Sequence, residues 1–261
     1  MCLILFAYRV HPRYPLIMAT NRDEFYERPS AQAHRWEDMP YIIAGRDLLK
    51  RGTWIGVSKV GQFAALTNYR NPLEQAEGKR SRGELITNFL KEQQSPAEYM
   101  QQMVEERYQY PGYNLLVGDR QNLYYYSNVG KEMMPLESGI YGISNHLLDT
   151  DWPKVRLGKQ GLEQTVHQLD TQQINEQQLA DQLFALLQVT DRPEDEELPH
   201  TGISLERERL LSSIFIHSQE LAYGTRSSTV LLMSDEEMIY RERVYVPEPL
   251  PEQRFVIPFS S

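Results

Sequence analysis

Apolar strands in this chain come in hairpins, and its amphipathic helices come in pairs. Cys2–Val10 and Leu16–Thr20 are rich in Leu, Ile, Phe, Tyr and Val and flank His11-Pro12-Arg13-Tyr14-Pro15, a turn sequence. Thr53–Lys59 and Gln62–Thr67 form a second hairpin about Gly61. Two helices follow, each behind a capping-box sequence, Ser81-Arg82-Gly83-Glu84 and Ser95-Pro96-Ala97-Glu98. Strands resume at Tyr113–Gly118, Leu123–Ser127 and Gly139–Ser144. A second helix pair spans Asp151 to about Leu169 and Asn175 to about Leu187. After a polar, acidic loop at Thr190–Thr201, a short helix is predicted over Leu205–Ser213, then two long strands, Thr225–Ser234 and Glu237–Tyr245. Hairpin-linked strands pair antiparallel. Helices that arrive in pairs must each cover a sheet face. The first strand is apolar on both of its faces, as in a sheet covered on both sides. These signals together predict an α+β fold of packed layers. No internal repeat or linker divides the chain, so residues 1–261 are read as a single domain.

Charge and cysteine content narrow the function. With 27 Lys and Arg against 36 Asp and Glu, the net charge is −9, which argues against a nucleic-acid partner. A single cysteine excludes an internal disulfide and a thiolate-rich zinc site. No His/Asp/Glu spacing suggests another metal site. No apolar run approaches the roughly 20 residues of a transmembrane segment, and no targeting sequence is visible. The expected location is cytoplasmic.

The one cysteine is residue 2. Removal of the initiator methionine, favoured by a small second residue, would make Cys2 the N-terminal residue. An α-amino group titrates at about 7.7–8.0, so it can act as general base for the thiol of its own residue. Four polar side chains, Asn21-Arg22-Asp23-Glu24, follow the second strand and are predicted to close its end beside Cys2. Asp23 could orient the amine, and Arg22 could lower the thiol pKa. Asn68 and Asn145, each at a strand end, could donate to an oxyanion, and Arg226 could fix a carboxylate or thiolate.

Seven segments carry a family likeness: Met1-Cys2-Leu3-Ile4, Ala19–Phe25, Gly52–Gly56, Ala64–Tyr69, Arg82–Leu85, Tyr141–Asn145 and Tyr223–Arg226. In this order they resemble the NRDE family, whose animal members are called transport and Golgi organisation protein two. Where the family often has a second glycine before Gly-Thr-Trp, this chain has Arg51. The resemblance implies a four-layer αββα sandwich of the N-terminal nucleophile hydrolase type, two antiparallel sheets between helix layers. In fold it points to the choloylglycine hydrolases and penicillin V acylases, which cleave amides with an N-terminal cysteine. It makes Cys2 similar to their nucleophile and Asp23 with Arg22 similar to their amine-orienting pair. Asn68 and Asn145 resemble their oxyanion and amine-contact asparagines, and Arg226 their late arginine. Asn21, Glu24 and Tyr69, which flank these positions, are expected to contact substrate.

Three readings of function remain open at this stage, the last of them a scaffold without a ligand, which expects no concave site where Cys2, Asp23 and Arg226 converge. The first is a hydrolase or acyltransferase acting on a linear amide or thioester, with no cofactor required. The second is a carrier of haem or an acyl-coenzyme A-type metabolite, since the resemblance also implies links to Golgi organisation, mitochondrial lipid metabolism and haem movement. Haem as cargo needs an axial ligand. His146, beside Asn145, is the histidine nearest the expected site. Oligomeric state is not legible.

Overall fold

The computed structural model describes residues 2–92 and 94–259. Met1, whose removal is expected, lies outside them. The first sheet is built from β1 (Cys2–Tyr8) and β2 (Leu16–Phe25). The chain then crosses to the second sheet with β3 (Ser30–Arg35), β4 (Ile42–Asp47), β5 (Ile55–Ser58) and β6 (Phe63–Asn68). Helices α1 (Gly83–Glu92) and α2 (Pro96–Glu105) follow, and β7 (Tyr113–Gly118), β8 (Leu123–Ser127) and β9 (Met133–Pro135) complete that sheet. The chain returns through β10 (Gly139–Ile143), α3 (Pro153–Gln172), α4 (Glu176–Leu187) and α5 (Leu205–Leu210). The last strands are β11 (His217–Ser218), β12 (Tyr223–Met233), β13 (Glu237–Val244) and β14 (Gln253–Pro258). Every strand pairing is antiparallel. The first sheet runs β10-β1-β2-β12-β13-β14, with β11 on β12, and the second runs in chain order from β3 to β9.

Strand alternation sorts the core into three layers. Leu3, Leu5, Ile17 and Ala19 face α3 and α4. Ile4, Phe6, Leu16 and Met18 face the second sheet, meeting Val57, Phe63 and Leu116. The far side of that sheet packs on α1 and α2 through Leu85, Phe89, Tyr99 and Met100. The expected αββα sandwich is therefore present, with helices outside and sheets inside. Most predicted elements lie within a residue or two of their expected ends.

Several local expectations need correction. Five strands went unread: β3, β4, β9, β11 and β14. The capping box at Ser95 forms, with the Ser95 hydroxyl and the Glu98 carboxylate each holding the other's backbone N–H. At Ser81 it is the backbone carbonyl that accepts from the Glu84 N–H, while the Glu84 carboxylate pairs with Arg80 at 3.1 Å. In the acidic loop, Asp195 and Glu197 pair with Arg209 and Arg156, which fasten it to α5 and α3. Arg51 adopts φ +63°, a left-handed conformation that suits glycine, the residue the resemblance leads one to expect there. Among the described residues, no helix is long and apolar enough to cross a membrane.

Candidate active site

Antiparallel register builds the site. Cys2 pairs with Arg22 and Leu3 with Asn21. Because β1 and β2 run in opposite directions, the backbone nitrogen of Cys2 points toward Asp23. On the other side of β2, Thr225 pairs with Asp23, and the register slips at Arg226 before Ser227 meets Arg22. The predicted polar strand exit is thus a correction: Asn21, Arg22 and Asp23 lie buried inside β2. Their side chains divide between its two faces.

Cys2, Arg22 and Glu24 face the gap between the sheets. There they line a cavity of about 360 Å³ with Asp47, Thr53, Trp54, Asn68 and Arg82. Arg22 stacks on Trp54 at 4.0 Å and approaches Asp47 at 3.7 Å. Burial pushes the Cys2 thiol above its ordinary pKa, and the Asp23 charge adds to this. Arg22 and a backbone hydrogen bond from Asp23 pull the other way. The thiol is therefore not ionised in advance and needs a base.

Asn21 and Asp23 face the helix layer instead. The Asn21 amide donates to the carbonyls of Leu187 and Ile214 at 2.8 and 2.9 Å, and its oxygen accepts from Ser228. That is structural use, and the structure does not bring Asn21 to the cavity. Asp23 is 1% exposed and accepts from the Thr225 hydroxyl at 2.7 Å.

The remaining expected residues separate in the same way. Asn68, at the end of β6, lines the cavity. Asn145 lies behind it, its amide donating to the Asn68 carbonyl at 2.9 Å, while its own carbonyl accepts from the Arg70 N–H. Ser144, next to Asn145, donates to the Cys2 carbonyl at 3.4 Å. Arg226 faces a separate small cavity and braces the turn after β2 by donating to the carbonyls of Phe25 and Arg28. Tyr69 turns away to His146 at 2.9 Å. The second nitrogen of His146 meets Thr150 at 2.9 Å, so both ring nitrogens are engaged. Among the described residues, no group of three or more His, Cys, Asp or Glu is placed to hold a metal ion.

Sequence reasoning missed Arg82, which lines the cavity, as a site residue. Arg82 was absorbed into a helix start.

Glu242 on β13 is a further buried acid near Arg22. It accepts from the Ala33 N–H at 2.5 Å, and burial pushes its carboxyl up to about 7. The folded state thus keeps a proton that the unfolded chain releases. This favours folding at low pH and is lost as pH rises from about 4.3 through 7. The melting temperature is expected to fall between pH 5 and pH 8 less steeply in Glu242→Gln than in wild type. The differential is at most on the order of 3 kcal/mol, and thermal melts across that range check it.

A sequence profile for the family described as Transport and Golgi organisation 2 matches residues 1–247. The mouse protein Transport and Golgi organization 2 homolog is 34% identical over 251 residues, 89% of this chain and 88% of its own. The human homolog is 33% identical over 269 residues, 96% of this chain and 95% of its own. Among solved structures, the mutant C2A conjugated bile acid hydrolase from Clostridium perfringens superposes with a TM-score of 0.53 at 9% identity, over 100% of this chain and 97% of that one. A Caenorhabditis elegans N-acylethanolamine-hydrolyzing acid amidase ortholog gives 0.51 at 12% identity, over 88% and 92%. At those identities the likeness is one of fold.

Proposed function

The chain belongs to the Transport and Golgi organisation 2 family and has the N-terminal nucleophile hydrolase fold, and from that premise we propose that it cleaves a linear amide or thioester with Cys2 as nucleophile. The observation that carries the reading is the placement of Cys2 at the start of a central strand, facing a polar cavity beside Arg22, Asn68 and Arg82.

In this reading the neutral α-amine of Cys2 takes the thiol proton as sulfur attacks the substrate carbonyl carbon. A C–S bond forms, and the carbonyl electron pair moves to oxygen. Asn68 is the lining amide available to that oxyanion. The tetrahedral intermediate collapses, the bond to the leaving nitrogen or sulfur breaks, and the α-ammonium returns its proton to that atom. Water then attacks the acyl-cysteine thioester with the same amine as base, and the acid and the free thiol are released.

The surroundings indicate the shape of the substrate. A mainly apolar cleft of about 330 Å³, formed by Phe25, Leu210, Leu211, Leu221 and Tyr223 together with Arg207, adjoins the cysteine cavity and shares Glu24 and Asn68 with it. It would take the acyl group. The cysteine cavity has Arg22, Arg28, Lys50, Lys79, Arg80 and Arg82 against the carboxylates of Glu24 and Asp47. On a chain of net charge −9, that balance favours an anionic leaving portion. A carrier would use the same cleft without chemistry. Because both nitrogens of His146 are engaged, haem cargo would have to find its ligand elsewhere.

Exposure of the wild-type protein to a reactive acyl thioester, followed by peptide mass spectrometry, tests the proposal. An acyl adduct on a peptide that begins at Cys2 is the expected result. Retention of Met1 on the native protein, or acylation confined to surface lysines, would overturn it.

A further inference from the structure

Two opposite charges lie buried on the wall of one small cavity without pairing directly. Arg226 on β12 and Glu242 on β13 are 4% and 1% exposed. The Arg226 guanidinium donates to the carbonyls of Phe25 and Arg28, and its Nε–H has no partner among the described residues. Glu242 accepts from the Ala33 N–H at 2.5 Å through Oε2, while Oε1 has no partner among them. Nor does either side chain make an ion pair among the described residues, since the nearby Arg22 approaches Asp47 instead, at 3.7 Å. Both line a cavity of about 40 Å³ with Ser227, whose hydroxyl is likewise without a partner among the described residues.

Strand register explains the convergence. Ser227 pairs with Arg22 on one side and with Val244 on the other, so all three share the face turned to the gap between the sheets. Glu242, two residues before Val244, shares it too. Arg226 is the extra residue where the register slips between Thr225 and Ser227. That bulge puts Arg226 and Ser227, neighbours in sequence, on the same cavity.

A buried charge without compensation is costly, so the cavity has to supply it. Its size admits one to about three waters, each needing about 10–15 Å³. Its chemistry selects the occupant. The Arg226 Nε–H only donates, Glu242 Oε1 accepts as a carboxylate, and the Ser227 hydroxyl does either. A halide would meet the carboxylate and a metal ion would meet the guanidinium, whereas water satisfies all three.

We propose that an ordered internal water bridges Arg226 and Glu242, accepting from the Arg226 Nε–H, donating to Glu242 Oε1 and taking the Ser227 hydroxyl as its third partner. The two charges then form a water-separated ion pair. This gives Arg226 a role other than fixing a carboxylate or thiolate at the cysteine. With its water and Glu242 it holds the bulge in β12, which lets Thr225 meet Asp23 while Ser227 meets Arg22. The inference goes beyond the hydrolase reading and does not depend on it.

A high-resolution crystal structure of the wild-type protein, with a second crystal soaked in sodium bromide, tests the site without any variant. The expected result is a water within about 3.2 Å of Arg226 Nε and Glu242 Oε1, and no bromide signal there. Direct contact between the guanidinium and the Glu242 carboxylate would overturn the inference, as would a bromide in the cavity. Urea unfolding at pH 8, above the value of about 7 to which burial raises the Glu242 carboxyl, tests the coupling. Arg226→Met and Glu242→Met should each destabilise the protein. The double variant should cost less than the two singles together, by about tenfold in the unfolding equilibrium constant. Additive singles would overturn the inference.

Discussion

Cys2→Ala is expected to reduce turnover of an acyl amide or thioester by about 10³-fold or more, with the melting temperature little changed. The side chain is small and already lines a cavity, so its loss changes the packing little. The loss of rate follows from chemistry: without sulfur no acyl-enzyme forms, and water must attack the substrate directly. Cys2→Ser should be nearly as inactive, because an amine titrating at about 7.7–8.0 is a weak base toward an alcohol. The wild-type pH profile should rise as the amine loses its proton. Below its pKa the ammonium cannot accept the thiol proton, and burial keeps the thiol from ionising by itself. The measurement is kcat/KM on a panel of anionic acyl thioesters and amides from pH 6 to pH 9. An alanine variant with wild-type kcat/KM would end the hydrolase reading. Unchanged ligand binding with no turnover in either protein would favour the carrier.

The architecture was legible in the sequence because its signals are local and repeated. Hairpin turns, helix caps and apolar stripes each act over a few residues, and hairpins force antiparallel sheets. The strands that escaped notice lack such signals. The sequence of β3, Ser30-Ala31-Gln32-Ala33-His34-Arg35, has no large apolar side chain, and only Ala33 of these is fully buried. In β4, Gly45 and Arg46 interrupt the apolar run of Ile42, Ile43 and Ala44. Gly45 is small because Trp54 lies against it: a Cβ there would come within 2.5 Å of the Trp54 ring.

The site was legible in its residue types more than in its geometry. Asn21 to Glu24 looked like a strand exit because polar runs usually mark strand ends. In the fold their alternation serves both faces of a buried strand, Arg22 and Glu24 toward the cavity and Asn21 and Asp23 toward the helices. Which face each side chain served depended on the register with β1, a tertiary fact.

Glu208→Ala is expected to destabilise the protein by about 3–5 kcal/mol. Arg70 and Glu208 pair at 2.7 Å with side chains only 7% and 4% exposed. Removing the carboxylate leaves a buried guanidinium without its counter-charge, and the desolvation already incurred is no longer offset. Thr201 would also lose an acceptor, since its N–H and hydroxyl both donate to Glu208. Arg70 lies over the Trp152 ring at 4.7 Å, and its N–H donates to the Asn145 carbonyl. The pair therefore ties α5 to the loop that follows Asn68 at the end of β6 and to the segment just after β10. Breaking it should lower the melting temperature by roughly 10 °C or more and loosen Asn68 along with it. Arg70→Met combined with Glu208→Leu should cost less than Glu208→Ala alone, because no charge is then left buried. Urea unfolding of the singles and the double decides the matter. A double variant less stable than the sum of its singles would show that the pair acts through contacts other than charge.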